Sequence, residues 1–123
     1  MSLFKNVNVV SVYITDWEAA KQFYGEVLGW PLAYGDDQVG WFEYGPENET
    51  HVAINRWDDP ATVPPKLGGA TIVFSVEDAD QLTEALRGKG IKCDEVVNIP
   101  GVVKYGTFYD PEGNRFQFAS NPG

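Results

Sequence analysis

Tyr109-Asp110-Pro111-Glu112-Gly113 decides the fold, because about sixty-five residues earlier the chain reads Tyr44-Gly45-Pro46-Glu47-Asn48. Each copy is followed by an alternating apolar strand. Upstream the echo continues. Ser11-Val12-Tyr13-Ile14-Thr15-Asp16 stands at the head of one helical pattern, and Val73-Phe74-Ser75-Val76-Glu77-Asp78 at the head of another. A chain that repeats a turn and a strand-to-helix junction at one spacing is two copies of one supersecondary module.

Working outward from these anchors, Asn8 to Ile14 is β-branched and mostly apolar, which predicts a buried strand, and Thr15-Asp16 supplies the capping oxygen of a helix. In that helix Ala20, Phe23, Tyr24, Val27 and Leu28 form one apolar stripe, ended by Gly29. Trp30 to Tyr34, Gly40 to Tyr44 and Thr50 to Asn55 read as three strands. In the second copy, Ala70 to Val76 is a strand and Asp78 caps a helix with the stripe Ala79, Leu82, Ala85 and Leu86, ended by Gly88-Lys89-Gly90. Strands follow at Ile91 to Asn98, Val103 to Tyr109 and Asn114 to Ser120. The fold class is α+β, with two βαβββ modules in one domain. Residues 1–56 form the first module, residues 57–69, rich in Asp and Pro, connect, and residues 70–123 form the second.

At 123 residues the chain has the length of one domain, so the modules are expected to share a core. No apolar run approaches the ~20 residues that cross a bilayer. Met1-Ser2-Leu3-Phe4-Lys5-Asn6 has no apolar h-region, so no signal peptide is expected and the default location is cytoplasmic. Cys93 is the sole cysteine, which excludes an intrachain disulfide and a cysteine-cluster metal site. A formal net charge of −9 without a basic run repels polyanions, so neither nucleic acid nor a membrane is an expected partner.

The run Val12-Tyr13-Ile14-Thr15-Asp16, the Phe23-Tyr24 pair, Leu28-Gly29-Trp30 and Asp110-Pro111-Glu112-Gly113-Asn114-Arg115-Phe116 together resemble the vicinal oxygen chelate superfamily. That group includes glyoxalases, extradiol dioxygenases, and bleomycin- and fosfomycin-resistance proteins. The resemblance spans essentially the whole chain and is weak for any one activity. It implies that each module curls its sheet into a half-barrel with one helix packed on it, and that two modules enclose a cleft, within one chain or across a dimer. It also implies a homodimer, since half-barrels leave apolar faces and strand edges for a second chain to cover.

In metal-using members the resemblance implies a divalent ion, held by His or Gln on the first strand of each module and Glu on the last, which chelates neighbouring substrate oxygens. Carried over by counting from Asp16, Asp78 and Asp110-Pro111, those positions fall on Val9, Thr71 and Gln117, and matching Val52 and Ile54 to the inward pair Phe116 and Phe118 puts the fourth near Ala53. This set has no anion and no imidazole. The usual metal ion, and with it metal-dependent glyoxalase or dioxygenase chemistry, is not expected.

His51 is the only histidine, on the strand face that carries Ala53 and Asn55. It reads either as a rim or structural residue or as a ligand contact or general base. Arg115 and Gln117 share a face in the second module. Gln117, Thr71 and Asn55 read equally as cleft lining or as polar residues on the wet side of a sheet. Trp41 and Glu43 share a face opposite Phe42 and Tyr44. An aromatic beside a carboxylate suits a planar, cationic ligand, and packing against a dimer mate is the competing reading of Trp41. The substrate-binding candidates are therefore Val9, Trp41, Glu43, His51, Ala53, Asn55, Thr71, Arg115 and Gln117, with no catalytic residue and no cofactor.

Two functional classes follow. One is a metal-free protein that sequesters a small, aromatic or cationic molecule. The other is a lyase or dioxygenase of the same fold, working by acid-base chemistry or through a non-standard ion site near His51. A component of a larger assembly with a vestigial cleft is a third reading.

Overall fold

The computed structural model describes residues 3, 5–66 and 70–123. The N-terminal positions 1, 2 and 4 and the end of the connector, 67–69, lie outside the described residues. The chain divides into two compact units, Met1–Lys66 and Leu67–Gly123.

The first unit runs β1 (Val9–Ile14), α1 (Trp17–Lys21), β2 (Leu32–Asp36), β3 (Trp41–Tyr44) and β4 (His51–Arg56). The second repeats that order as β5 (Ile72–Ser75), α2 (Ala79–Gly88), β6 (Val97–Ile99), β7 (Val103–Tyr109) and β8 (Arg115–Ser120). Each builds a four-stranded mixed sheet, β1-β4-β3-β2 and β5-β8-β7-β6, in which only the first pair is parallel. The registers match as well. Val10 and Val12 face Val52 and Ile54, just as Ile72 and Phe74 face Phe116 and Phe118. Glu43 beside Ala53 therefore corresponds to Thr107 beside Gln117.

Both helices start on an aspartate cap: Asp16 accepts from the Ala19 amide at 3.2 Å, and Asp78 from those of Asp80 and Gln81. The first helix departs from the regular period. After Lys21 it widens into a π-helical segment, Gln22–Val27, closed by the Leu28 amide on the Phe23 carbonyl. The widened turn admits the consecutive Phe23 and Tyr24 together to the core, edge to face at 5.1 Å, and Gly29 leaves it in the left-handed conformation.

Alternation puts the large apolar side chains of the first sheet on its helix-packed face, although Ala53, on the other face, is buried as well. Val12, Ile14, Val52, Ile54 and Tyr44 are buried with Trp17, Ala20, Phe23 and Tyr24 of the helix, and Trp17 meets Phe42 edge-on at 5.5 Å. In the second unit Phe108, Phe116 and Phe118 are buried with Ala79, Thr83 and Leu86 of α2. Thr83 replaces Ala85 on the expected stripe. Its hydroxyl donates to the Ala79 carbonyl at 2.8 Å, so the buried polar group is satisfied, and Ala85 is exposed. The expected strand from Ile91 to Asn98 also shrinks, to β6 and a single bridge between Cys93 and Phe108.

Candidate functional site

With the helix on one side, each sheet turns its other face outward. On the first, that face carries Val9 and Tyr13 from β1, His51, Ala53 and Asn55 from β4, and Trp41 and Glu43 from β3. Six of the expected site residues thus stand on one sheet. Arg115 and Gln117 stand on β8 of the second, and Thr71 lies just before β5, outside the sheet. Ala53 is fully buried and offers no surface to a solute, whereas Thr71 and Arg115 are exposed.

Strand β3, which presents Trp41 and Glu43, is anchored through the hairpin before it. Asp37 accepts from the Trp17 indole at 2.9 Å and from Lys21 at 2.7 Å, while Arg56 donates to the Asp37 and Gln38 carbonyls. Lys21 and Arg56 also lie within 6.0 Å of the Trp17 ring.

Trp41, Glu43, His51 and Pro46 form one hydrogen-bonded chain. The Trp41 indole N–H donates to Glu43 Oε1 at 3.1 Å. Glu43 Oε2 lies 2.5 Å from His51 Nδ1, and His51 Nε2 lies 2.7 Å from the Pro46 carbonyl oxygen. A carboxylate and a carbonyl only accept, so both imidazole nitrogens must donate, and the arrangement is that of an imidazolium. The Glu43 bond, helped by the Pro46 carbonyl, raises the His51 pKa above its ordinary value. The bond from His51 holds the Glu43 carboxyl below its own, with burial opposing and the Trp41 indole adding to the effect. Both side chains are mostly sheltered, 15% and 20% exposed.

Local sequence explains why the ring sits there. Gly45, the counterpart of Asp110, has φ +141°, and a Cβ on it would lie 2.5 Å from His51 Cδ2. The missing side chain is the space the imidazole uses. In the second module the counterpart position holds Asp110, whose carboxylate accepts from the backbone amides of Glu112 and Asn114 and from the Asn114 side chain.

The second sheet closes its polar groups on each other too. Arg115 donates to the Thr71 hydroxyl at 3.0 Å, and the Gln117 amide donates to the Thr107 hydroxyl at 3.2 Å. Of the four positions that the resemblance assigns to ion ligands, Val9 and Ala53 are aliphatic and Thr71 and Gln117 are neutral. His51 has no lone pair to give while both its nitrogens donate. Among the described residues no three His, Cys, Asp or Glu side chains gather into a metal-holding group. These residues do not fit a divalent ion.

A family model described as the Glyoxalase/Bleomycin resistance protein/Dioxygenase superfamily matches residues 6–118. The chain belongs to this superfamily. Among its relatives, the uncharacterized protein YetH of Bacillus subtilis (strain 168) is 30% identical over 122 residues, covering 93% of this chain and 97% of YetH. Among solved structures, TnmS3, an antibiotic binding protein from Streptomyces sp. CB03234, is 26% identical with a TM-score of 0.77 and full coverage of both chains. A superfamily member from Sphaerobacter thermophilus DSM 20745 superimposes at a TM-score of 0.78 with 21% identity, covering 98% of this chain and 100% of its own, a likeness of fold. Within this superfamily the glyoxalase and resistance branches share the paired βαβββ frame, so the side chains of the outward faces must discriminate between them.

Two features of the site escaped sequence reasoning. Tyr13 shares the outward face and is 37% exposed; its two-residue alternation with Val9 was the available signal. The Pro46 carbonyl as a partner of His51 had no signal, because a backbone acceptor leaves no mark in side-chain identity.

Proposed function

We propose that this protein binds and sequesters a small aromatic molecule, without a divalent metal and without carrying out bond chemistry on it. The observation that carries the reading is the closure of His51 between Glu43 and the Pro46 carbonyl. In that arrangement the only histidine can neither ligate an ion nor accept a proton as a general base. Beside it the Trp41 ring has its N–H satisfied by Glu43, so the indole offers a stacking surface that makes no further polar demand. The likeness to TnmS3, an antibiotic binding protein, supports the same reading. It carries with it a homodimer, since the edge strand β2 exposes Leu32 and Tyr34, and a place in the cytoplasm as part of the same proposal.

The test is a library of uncharged aromatic compounds screened by indole fluorescence against the wild type and Trp41→Ala. Binding that quenches the wild type and is lost or strongly weakened in Trp41→Ala, with circular dichroism unchanged, supports the assignment. Equal affinity in the two proteins refutes it. Light scattering tests the dimer separately.

A further inference from the structure

The Trp41 face also specifies the chemistry of what it takes, an inference that rests on the binding function proposed above. Tyr13, Asn55 and Trp41 are direct neighbours across β1, β4 and β3 on the outward face. With strands ~4.8 Å apart, the two aromatic positions stand about 10 Å from each other with the Asn55 amide between them. Trp57 braces Tyr13 edge-on, with ring centroids 5.0 Å apart at 80°. A flat ring laid against Trp41 or Tyr13 therefore brings its edge over Asn55.

Asn55 is half-buried, and its amide makes no hydrogen bond to any described residue, so an N–H donor and a carbonyl acceptor stand ready side by side. The polar groups beside it on β3 are spent. Trp41 donates to Glu43, and the Glu43 charge is neutralised by His51, which meets Glu43 from β4 and lies within the field of Glu49 in the preceding turn. The carboxylate that suggested a cationic ligand is thus already paired. A cation laid on this face would lose water without gaining a net counter-charge, whereas a neutral amide edge would satisfy both halves of Asn55.

The geometry points to a neutral planar ligand with adjacent hydrogen-bond donor and acceptor, a carboxamide or lactam edge on an aromatic ring, read by Asn55 and stacked on Trp41. An aromatic cation of the same shape is the disfavoured alternative.

Two probes of matched shape decide it: 2-naphthamide, which is neutral with a donor and an acceptor, and 2-naphthamidinium, which is cationic with donors only. Titrations followed by tryptophan fluorescence at about pH 6, below the ordinary histidine pKa, keep His51 charged. The naphthamide is expected to bind about tenfold more tightly than the amidinium, or better. Asn55→Leu should weaken the naphthamide about five- to tenfold, and Asn55→Asp, which turns the donor into a charged acceptor, should reverse the order of the two probes. Tighter or equal binding of the amidinium by the wild type overturns the assignment of ligand class while leaving the binding function intact. So does unchanged naphthamide affinity in a folded Asn55→Leu. If neither probe binds at millimolar concentration, and no other uncharged aromatic does, both the class and the binding function fall. Should Asn55→Leu fail to fold, the wild-type comparison and Asn55→Asp still decide.

Discussion

Replacing Gly45 with alanine strikes the feature that closes His51. The residue has φ +141°, and a Cβ there would stand 2.5 Å from His51 Cδ2, 3.2 Å from Cγ and 3.4 Å from Cα. Carbon atoms pack comfortably at about 3.5–4.0 Å, so the ring must withdraw by about an ångström. Hydrogen bonds of 2.5 and 2.7 Å on opposite sides of one rigid ring cannot both survive that shift. The backbone strain alone is about 1–3 kcal/mol, which at roughly 4 °C per kcal/mol for a chain of this size lowers the melting midpoint by about 4–12 °C. Gly113→Ala is the control. It too has a left-handed backbone, φ +87°, but nothing lies within 4 Å of the added carbon. It should cost about 1 kcal/mol and leave His51 untouched. The assay pairs a thermal melt with the NMR titration of the imidazole Cε1–H, a unique signal because the chain has one histidine. Gly45→Ala should lower both the melting midpoint and the titration midpoint of His51, and Gly113→Ala only the first. A Gly45→Ala protein whose His51 titrates as in the wild type would refute the reasoning.

The Glu43–His51 pair also predicts a pH window. The lowered Glu43 pKa contributes stability above its unfolded value, about 4.3, and that is lost as pH falls through its folded value. The raised His51 pKa contributes below its unfolded value, about 6.5, and that is lost as pH rises through its higher folded value. The difference in urea midpoint between wild type and Glu43→Gln should therefore be largest between about pH 4.3 and 6.5 and shrink on either side; a difference independent of pH contradicts the pairing. On α2, Ala85→Glu should change stability by less than about 0.5 kcal/mol, whereas Thr83→Glu buries an unpaired carboxylate and should lose several times more in the same urea titration. Ile54→Ala, at a fully buried position of β4, should cost about 2–5 kcal/mol, and a loss under about 1 kcal/mol would mean that the first unit's core is misassigned.

The paired frame was legible because it is written in periodicities. Alternating strands, aspartate caps, a glycine after the first helix and the Asp110 turn are all local, and local signals survive without tertiary context. The π-helical widening after Lys21 was not legible, since it follows from seating two consecutive aromatics in one core. Thr83 was hidden by its own polarity, which a hydrogen bond to Ala79 conceals from the core. Strand β6 read as longer because Ile91 to Asn98 has strand composition, yet before Val97–Ile99 the segment meets β7 only at the Cys93–Phe108 bridge, through the backbone bonds of Lys92 and Asp94. In the site, the faces followed from alternation, so Trp41, Glu43, His51 and Asn55 could be grouped. What alternation cannot convey is that Glu43 is spent on His51 and Trp41.

The central claim is that His51 is a closed imidazolium and neither ligand nor base. The most direct test is a nitrogen-15 spectrum of its ring at about pH 6.5, where a free histidine is half protonated, recorded before and after one equivalent of zinc. Both ring nitrogens are expected to carry protons at that pH, and zinc to leave their signals in place. A neutral ring with one bare nitrogen, or a nitrogen signal displaced by zinc, would contradict the claim and return the site to metal or proton-transfer chemistry.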